Sequence, residues 1–198
     1  MIGVLALQGA FHSHQALLDG LGQSTLQVRT AADLDRVDAL VMPGGESTTM
    51  SRLLATSGLF DPLHERLQHG MPAFGTCAGM ILLAKEVLDG RPDQRSFGVI
   101  DITVRRNGYG RQLDSFETDL EVPGLGIGAD RFHGVFIRAP KVTRVGADVE
   151  ILAEHAGVPV LLRRGPITVA SFHPELANDP RLHAQFLDSF LITSQTEI

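Results

Sequence analysis

Apolar runs and amphipathic stretches alternate along the first half of the chain. Residues 2–7 form a continuous apolar run, Ile2–Gly3–Val4–Leu5–Ala6–Leu7, which reads as a fully buried strand broken by Gln8–Gly9. Phe11, Leu17, Leu18 and Leu21 then recur at roughly helical spacing, up to Gly20 and Gly22. Residues 25–29 and 37–42 predict two more strands, the second stopped by Pro43–Gly44–Gly45. A helix restarts over 47–54, with Ser47 or Thr48 as the expected N-cap, and a short helix follows over 59–68. Residues 71–76 are a strand that runs straight into Cys77. Strand–helix alternation of this kind predicts a parallel sheet covered by helices on both faces. The second half changes character. Short strand-like runs occupy 97–105, 116–121, 131–137, 150–154, 158–163 and 167–172, with Gly157 and Gly165–Pro166 at turns between the last three. These read as hairpins, so an antiparallel, β-rich section is expected to extend or flank the parallel core. A helix over 179–191, with Leu182, Phe186, Leu187 and Phe190 on one face, closes the pattern, and 193–198 is expected to fray.

Composition narrows what such a sheet does. The 198 residues are 43% hydrophobic and 20% charged, and 17 Lys and Arg against 23 Asp and Glu leave a net charge of −6. At roughly 150 residues per domain this is one domain, 1–198, able to bury about 70% of its unfolded surface without a staple. The chain is too apolar for disorder. An acidic balance, no Trp and a single Tyr argue against nucleic acid as a partner, because phosphate binding needs a basic face. The longest apolar runs, 1–7 and 78–84, are far too short to span a membrane, and the first residues carry no signal-peptide pattern, so a cytoplasmic location is expected. One Cys supplies neither an intrachain disulfide nor a Cys-based zinc site. Composition alone leaves Cys77 open between a small buried hydrophobe and a nucleophile.

The surroundings of Cys77 decide in favour of chemistry. An apolar strand enters Gly75–Thr76–Cys77–Ala78–Gly79, and a helix-like Met80–Ile81–Leu82–Leu83–Ala84 leaves it. This is the nucleophile-elbow pattern with Cys in place of Ser. The flanking glycines leave room for a sharp turn, and the following helix N-terminus favours the thiolate and offers N–H groups to an oxyanion. A thiolate that attacks a carbonyl also needs a proton carrier. Ser171–Phe172–His173–Pro174–Glu175 supplies one at the end of a strand: residues i and i+2 of an extended chain point the same way, so Glu175 can orient the His173 ring. Pro43–Gly44–Gly45–Glu46–Ser47–Thr48–Thr49 lies between a strand and a helix, where glycines permit close approach of a ligand, and it lacks the Lys of a nucleotide-binding P-loop. His12 and His14 diverge by about 200° on a helix, and His64, His69, His133, His155 and His183 show no ligand spacing, so no metal is expected.

Taken together, these segments resemble the class I, triad-type glutamine amidotransferases. Leu5–Ala6–Leu7–Gln8–Gly9, the Pro43 to Thr49 loop, the Cys77 elbow, Arg106–Asn107–Gly108–Tyr109–Gly110–Arg111–Gln112, Phe136–Ile137–Arg138–Ala139–Pro140 and Ser171–Phe172–His173–Pro174–Glu175–Leu176 resemble the glutaminase subunits of pyridoxal 5′-phosphate synthase across nearly the whole chain. The resemblance implies a flavodoxin-like α/β sheet. It implies Cys77 as nucleophile, His173 as proton shuttle and Glu175 as its orienting partner. Gly45 and Ala78 would donate to the oxyanion, and Gly45, Glu46, Ser47, Arg106, Ile137 and Arg138 would bind L-glutamine. It implies no cofactor. A separate synthase subunit would be the protein partner, receiving the ammonia for pyridoxal 5′-phosphate synthesis, and would also be needed to order the oxyanion loop. The residues read without the resemblance leave two alternatives: an elbow-cysteine hydrolase or peptidase of the same architecture, and a non-enzymatic redox-sensing module.

Overall fold

The structure is a computed structural model and describes residues 1–108, 115–125 and 130–191. Its elements, in chain order, begin with β1 (Ile2–Leu5), α1 (Phe11–Gly20), β2 (Thr25–Val28), α2 (Ala31–Leu34), β3 (Ala39–Met42), α3 (Ser47–Thr56), α4 (Phe60–Gln68), β4 (Ala73–Thr76) and α5 (Ala78–Leu83). They continue with β5 (Ala84–Val87), β6 (Ile100–Arg105), β7 (Ser115–Glu121), β8 (Arg131–Ile137), β9 (Lys141–Val145), β10 (Glu150–His155), β11 (Val158–Arg164), β12 (Ile167–Ala170) and α6 (Arg181–Leu191).

The main sheet has seven strands in the order β10-β11-β12-β4-β3-β1-β2. From β12 to β2 every pairing is parallel, and β10 and β11 extend the β12 edge antiparallel. Side-chain alternation along the strands sends residues to two separate cores. Ile2, Val4, Ala39 and Val41 pack with Leu18 of α1 and Leu182 and Phe186 of α6. Leu5, Leu40 and Met42 pack on the other face with Leu34 of α2, Met50 and Leu54 of α3 and Leu63 of α4. The fold is therefore a mostly parallel α/β sheet with helices on both faces and an antiparallel C-terminal extension, the architecture expected from the sequence.

The local differences have identifiable causes. The strand expected over 97–105 begins at Ile100, because Phe97 turns away to stack on Phe60 with ring centroids 4.5 Å apart. That strand is not half of a simple hairpin: β6 lies between β5, which it meets in parallel, and β9, antiparallel to it. Neither β5 nor β9 was expected, nor was the single-turn α2, whose capping box pairs Thr30 with Asp33. Among the described residues, the antiparallel neighbours β7–β8 and β10–β11–β12 match the expected hairpins. Ala84 ends the helix after Cys77 by turning extended, at ψ 148°. The α3 cap is Glu46, not Ser47 or Thr48: its longer side chain accepts from the Thr48 N–H at 3.1 Å and the Thr49 N–H at 2.7 Å. The expected fraying of 193–198 and the stretch Tyr109–Gly110–Arg111–Gln112 lie outside the described residues, as does the side chain of Phe190. Among the described residues, no helix is long and apolar enough to cross a membrane.

Candidate active site

Three neighbouring strands of the parallel sheet, β3, β4 and β12, end at one place, and the loop after each carries one part of the site. Open α/β sheets bind ligands at this carboxyl edge. Cys77 follows β4 directly, with φ 49° and ψ −101°, a strained backbone for a residue with a side chain. Its N–H donates to the Ala170 carbonyl of β12 at 2.8 Å. A Cβ on Gly79 would overlap the Met42 carbonyl oxygen of β3, so the turn after Cys77 is pressed against the neighbouring strand.

His173 comes from the loop after β12. Its N–H donates to the Val135 carbonyl of β8 at 2.8 Å, and its Nδ1 lies 2.8 Å from Glu175 Oε1. The His–Glu pair forms by a different route from the one expected. Pro174 opens a single 3₁₀ turn over Pro174–Leu176, and this turn, not an extended chain, swings Glu175 beneath the imidazole. The Glu175 side chain is fully buried. From the β3 loop, Gly44 closes the group: a Cβ there would overlap His173 Cε1 and come within 3.3 Å of the Cys77 Cβ.

Electrostatics follow from this packing. Burial works against a charged imidazole at His173, but hydrogen bonding and charge from Cys77 and Glu175 outweigh it and push its pKa up to about 10. Burial also works against the Glu175 carboxylate, and His14 and His173 overcome it, holding the group well below the usual carboxylate range. Glu46, partly desolvated, is pulled down to about 2 by the side chain and backbone of Thr49 and by the Thr48 backbone.

Cys77 and His173 open into a cleft of about 300 Å³, which is also lined by Gly45, Glu46, Ser47, Arg106, Ile137 and Arg138. Ala78 is the first residue of α5, where a helix N–H has no intrahelical acceptor, and Glu175 sits behind His173. The residues expected to be catalytic, to donate to the oxyanion and to bind glutamine therefore lie together around one cleft. Cys77 Sγ lies 3.9 Å from the Ile137 carbonyl oxygen, and Arg138 follows in a left-handed conformation at φ 44°. Arg106 is already engaged: it reaches Glu46 Oε1 at 3.4 Å and donates to Gln94 Oε1 at 3.1 Å, while Gln94 Nε2 donates to Ser47 Oγ at 3.3 Å. Roomier depressions of about 440 and 550 Å³ lie elsewhere on the surface and hold no cysteine, so volume alone does not single out this cleft. Among the described residues, no group of three or more His, Cys, Asp or Glu side chains could hold a metal ion.

Residues 4–192 match the SNO glutamine amidotransferase family. The chain belongs to that family. The pyridoxal 5′-phosphate synthase subunit PdxT of Mycobacteroides abscessus is 55% identical over 188 residues, covering 95% of this chain and 96% of that protein. The protein of the same name from Rhodococcus opacus is 52% identical over 195 residues, with 95% and 96% covered. A glutamine amidotransferase crystal structure at 50% identity superposes with a TM-score of 0.88, covering 95% of this chain and 97% of the other. A GMP synthase subunit from Thermoplasma acidophilum, only 17% identical, shares the fold with a TM-score of 0.70, covering 99% of this chain and 96% of that one. As an SNO-family glutamine amidotransferase the chain is a glutaminase, which settles the enzyme class that the residues alone left open against a peptidase or redox module.

Sequence reasoning passed over several residues of this candidate site. Gln8 lines the cleft, and its Oε1 accepts the Glu46 N–H at 2.9 Å. Asn107 and Ile81 line it as well. His14 and His183 are fully buried and adjoin each other, and His14 reaches Thr76 and Glu175. A usable signal existed for both: His14 is four residues before Leu18 on the apolar face of α1, and His183 adjoins Leu182 and precedes Phe186 on α6. A test for metal-ligand spacing does not detect an inward-facing histidine.

Proposed function

We propose that this chain, acting as one domain, hydrolyses L-glutamine to L-glutamate and ammonia through Cys77, His173 and Glu175. The ammonia passes to a separate synthase subunit that builds pyridoxal 5′-phosphate. The observation that carries this reading is the placement of a strained, cleft-facing Cys77 against a His173 whose far nitrogen is held by a fully buried Glu175. Cys77 Sγ attacks the side-chain amide carbon, and the Ala78 and Gly45 N–H groups receive the charge that develops on the carbonyl oxygen. His173 delivers a proton to the leaving nitrogen, so that ammonia departs and a γ-glutamyl thioester remains. A water molecule deprotonated by His173 then cleaves the thioester, which releases glutamate and restores the thiol. Glu175 keeps the imidazole in one tautomer and stabilises its charged form, as the third member of a triad does.

The cleft supports recognition of a free amino acid. Glu46 and Ser47 face the amino-acid end of glutamine, Arg106 sets the Glu46 carboxylate, and the exposed Arg138 offers a planar fork to the substrate carboxylate. The PdxT name of the closely similar relatives supports a partnership with the synthase subunit, and vitamin B6 synthesis as the destination. Ammonia released into water would mostly become ammonium, which is no nucleophile, so direct transfer inside a complex has a chemical reason. We place this assembly in the cytoplasm.

Three measurements test the reading. Cys77→Ala is expected to lower glutamine hydrolysis by at least ~10³-fold. A glutamine-analogue electrophile is expected to label Cys77 and to be blocked by excess glutamine. Substantial hydrolysis by Cys77→Ala would overturn the mechanism. Ammonia release should also rise when the synthase subunit is added, and equal rates with and without it would refute dependence on a partner.

A further inference from the structure

Behind the triad lies a second pair of buried polar side chains that the proposed mechanism does not use. His14 of α1 and His183 of α6 are both fully buried, and His14 Nδ1 lies 2.8 Å from His183 Nε2. The other nitrogen of His14, Nε2, faces Thr76 Oγ1 at 3.1 Å and Glu175 Oε2 at 3.3 Å. Oε1 of Glu175 is taken by His173, and Oε2 makes no regular hydrogen bond, so the long contact with His14 is its one interaction with a donor nitrogen among the described residues. A carboxylate with no exposed surface and one oxygen short of a donor is costly to keep ionised, so the identity of that neighbour matters.

We infer that His14 is a positioning residue for glutamine hydrolysis, directing its Nε2–H at Glu175 so that the carboxylate stays ionised and aimed at His173, with His183 setting the His14 tautomer. The inference rests on the triad reading above. The direction of the chain follows from what burial tolerates. Among the described residues, His183 Nδ1 is buried without a partner. If His183 accepted at Nε2, its buried Nδ1 would carry an N–H with no acceptor, and orphaned donors are rarer and costlier than unpaired acceptors. His183 therefore donates from Nε2 to His14 Nδ1, which leaves the His14 proton on Nε2, facing Glu175. Burial holds the His183 pKa down to about 3, in keeping with a neutral ring. The donors then point in one sense: His183 donates to His14, His14 turns its Nε2–H toward Thr76 Oγ1 and, over the longer 3.3 Å contact, toward Glu175 Oε2, and Glu175 in turn accepts from His173.

Neither His14 nor Glu175 lines the glutamine cleft, so loss of His14 should affect turnover and not substrate binding. For the full chain assayed with the synthase subunit, His14→Leu is expected to lower kcat at least ~10-fold with KM changed less than ~2-fold. The acidic limb of its kcat/KM profile should move to higher pH, because Glu175 becomes harder to ionise. His14→Gln, whose amide can donate to Glu175, should recover most of kcat. In spectra of ¹⁵N-histidine-labelled protein, the His173 Nδ1–H proton should lose its downfield position in His14→Leu and keep it in His14→Gln. A His14→Leu variant with wild-type kcat and an unmoved His173 proton would overturn the inference, and so would equal impairment of the Leu and Gln variants. Cys77→Ala measured alongside separates the outcomes: its retained activity would refute the triad reading, while the imidazole spectra still test His14.

Discussion

Gly44 shows how little freedom single positions have at this site. The only side chain that fits against both His173 Cε1 and Cys77 is a hydrogen, and the Gly44 carbonyl is itself held by the Ala10 N–H at 3.2 Å, so neither backbone nor ring can retreat cheaply. Gly44→Ala should therefore push the imidazole off its line to the sulfur and lower kcat by about 10²-fold, the scale expected of an ångström-sized misplacement. The melting temperature should stay within a few degrees of wild type, and a variant with full kcat would contradict the packing described. Residues of this kind were readable from sequence because they sit in short contiguous motifs: Cys77 between two glycines, His173 two residues before Glu175, Gly44 and Gly45 between a strand and a helix. The contact between His14 and His183 was not, because 169 positions separate two rings that touch only after α1 and α6 pack on the same sheet face.

The loop-to-helix joint at Glu46 does two jobs at the level of elements. Its carboxylate caps α3 through Thr48 and Thr49 and also receives Arg106 across the cleft. Glu46→Ala should cost about 1 kcal/mol through the lost cap and lower the melting temperature by about 2–4 °C. It should also raise KM for glutamine, because Arg106 loses its partner at the cleft. Glu46→Gln, which keeps part of the cap but not the charge, should recover more stability than affinity, and thermal melts beside steady-state kinetics would separate the two effects. Elements such as α3 were legible because apolar periodicity is strong in them. β5 and β9 were not: β5 follows the all-buried α5 without a Gly or Pro to mark the change, and alternation does not report which strand lies beside which. Only the sheet topology reveals that β6 pairs on both sides.

At the scale of the whole molecule, the buried groups set how stability depends on pH. The His183 pKa is lowered to about 3, so below the ordinary histidine value of 6.5 the unfolded chain takes up a proton that the folded chain refuses, and stability falls as pH drops. Glu175 is held below the usual carboxylate range, so its contribution is present above about pH 4.5 and is lost at more acidic pH. Urea midpoints should therefore begin to decline near pH 6.5, before the carboxylates titrate, with a slope from His183 of roughly 1 kcal/mol per pH unit. His183→Gln should flatten the stretch from 6.5 to 5 and leave the decline below 4.5 in place; an unchanged upper stretch would show that the ring is not kept neutral by the fold. The turn after β4 carries a consequence for time as well as for geometry. Cys77 is bonded to β12 through its N–H, and Gly79 is seated on β3, so the thiol is tied to two central strands and not to a free loop. Central strands open only when the molecule unfolds as a whole. The Cys77 amide should then exchange its hydrogen no faster than those of the sheet interior, and the sulfur keeps its station for the lifetime of the native state.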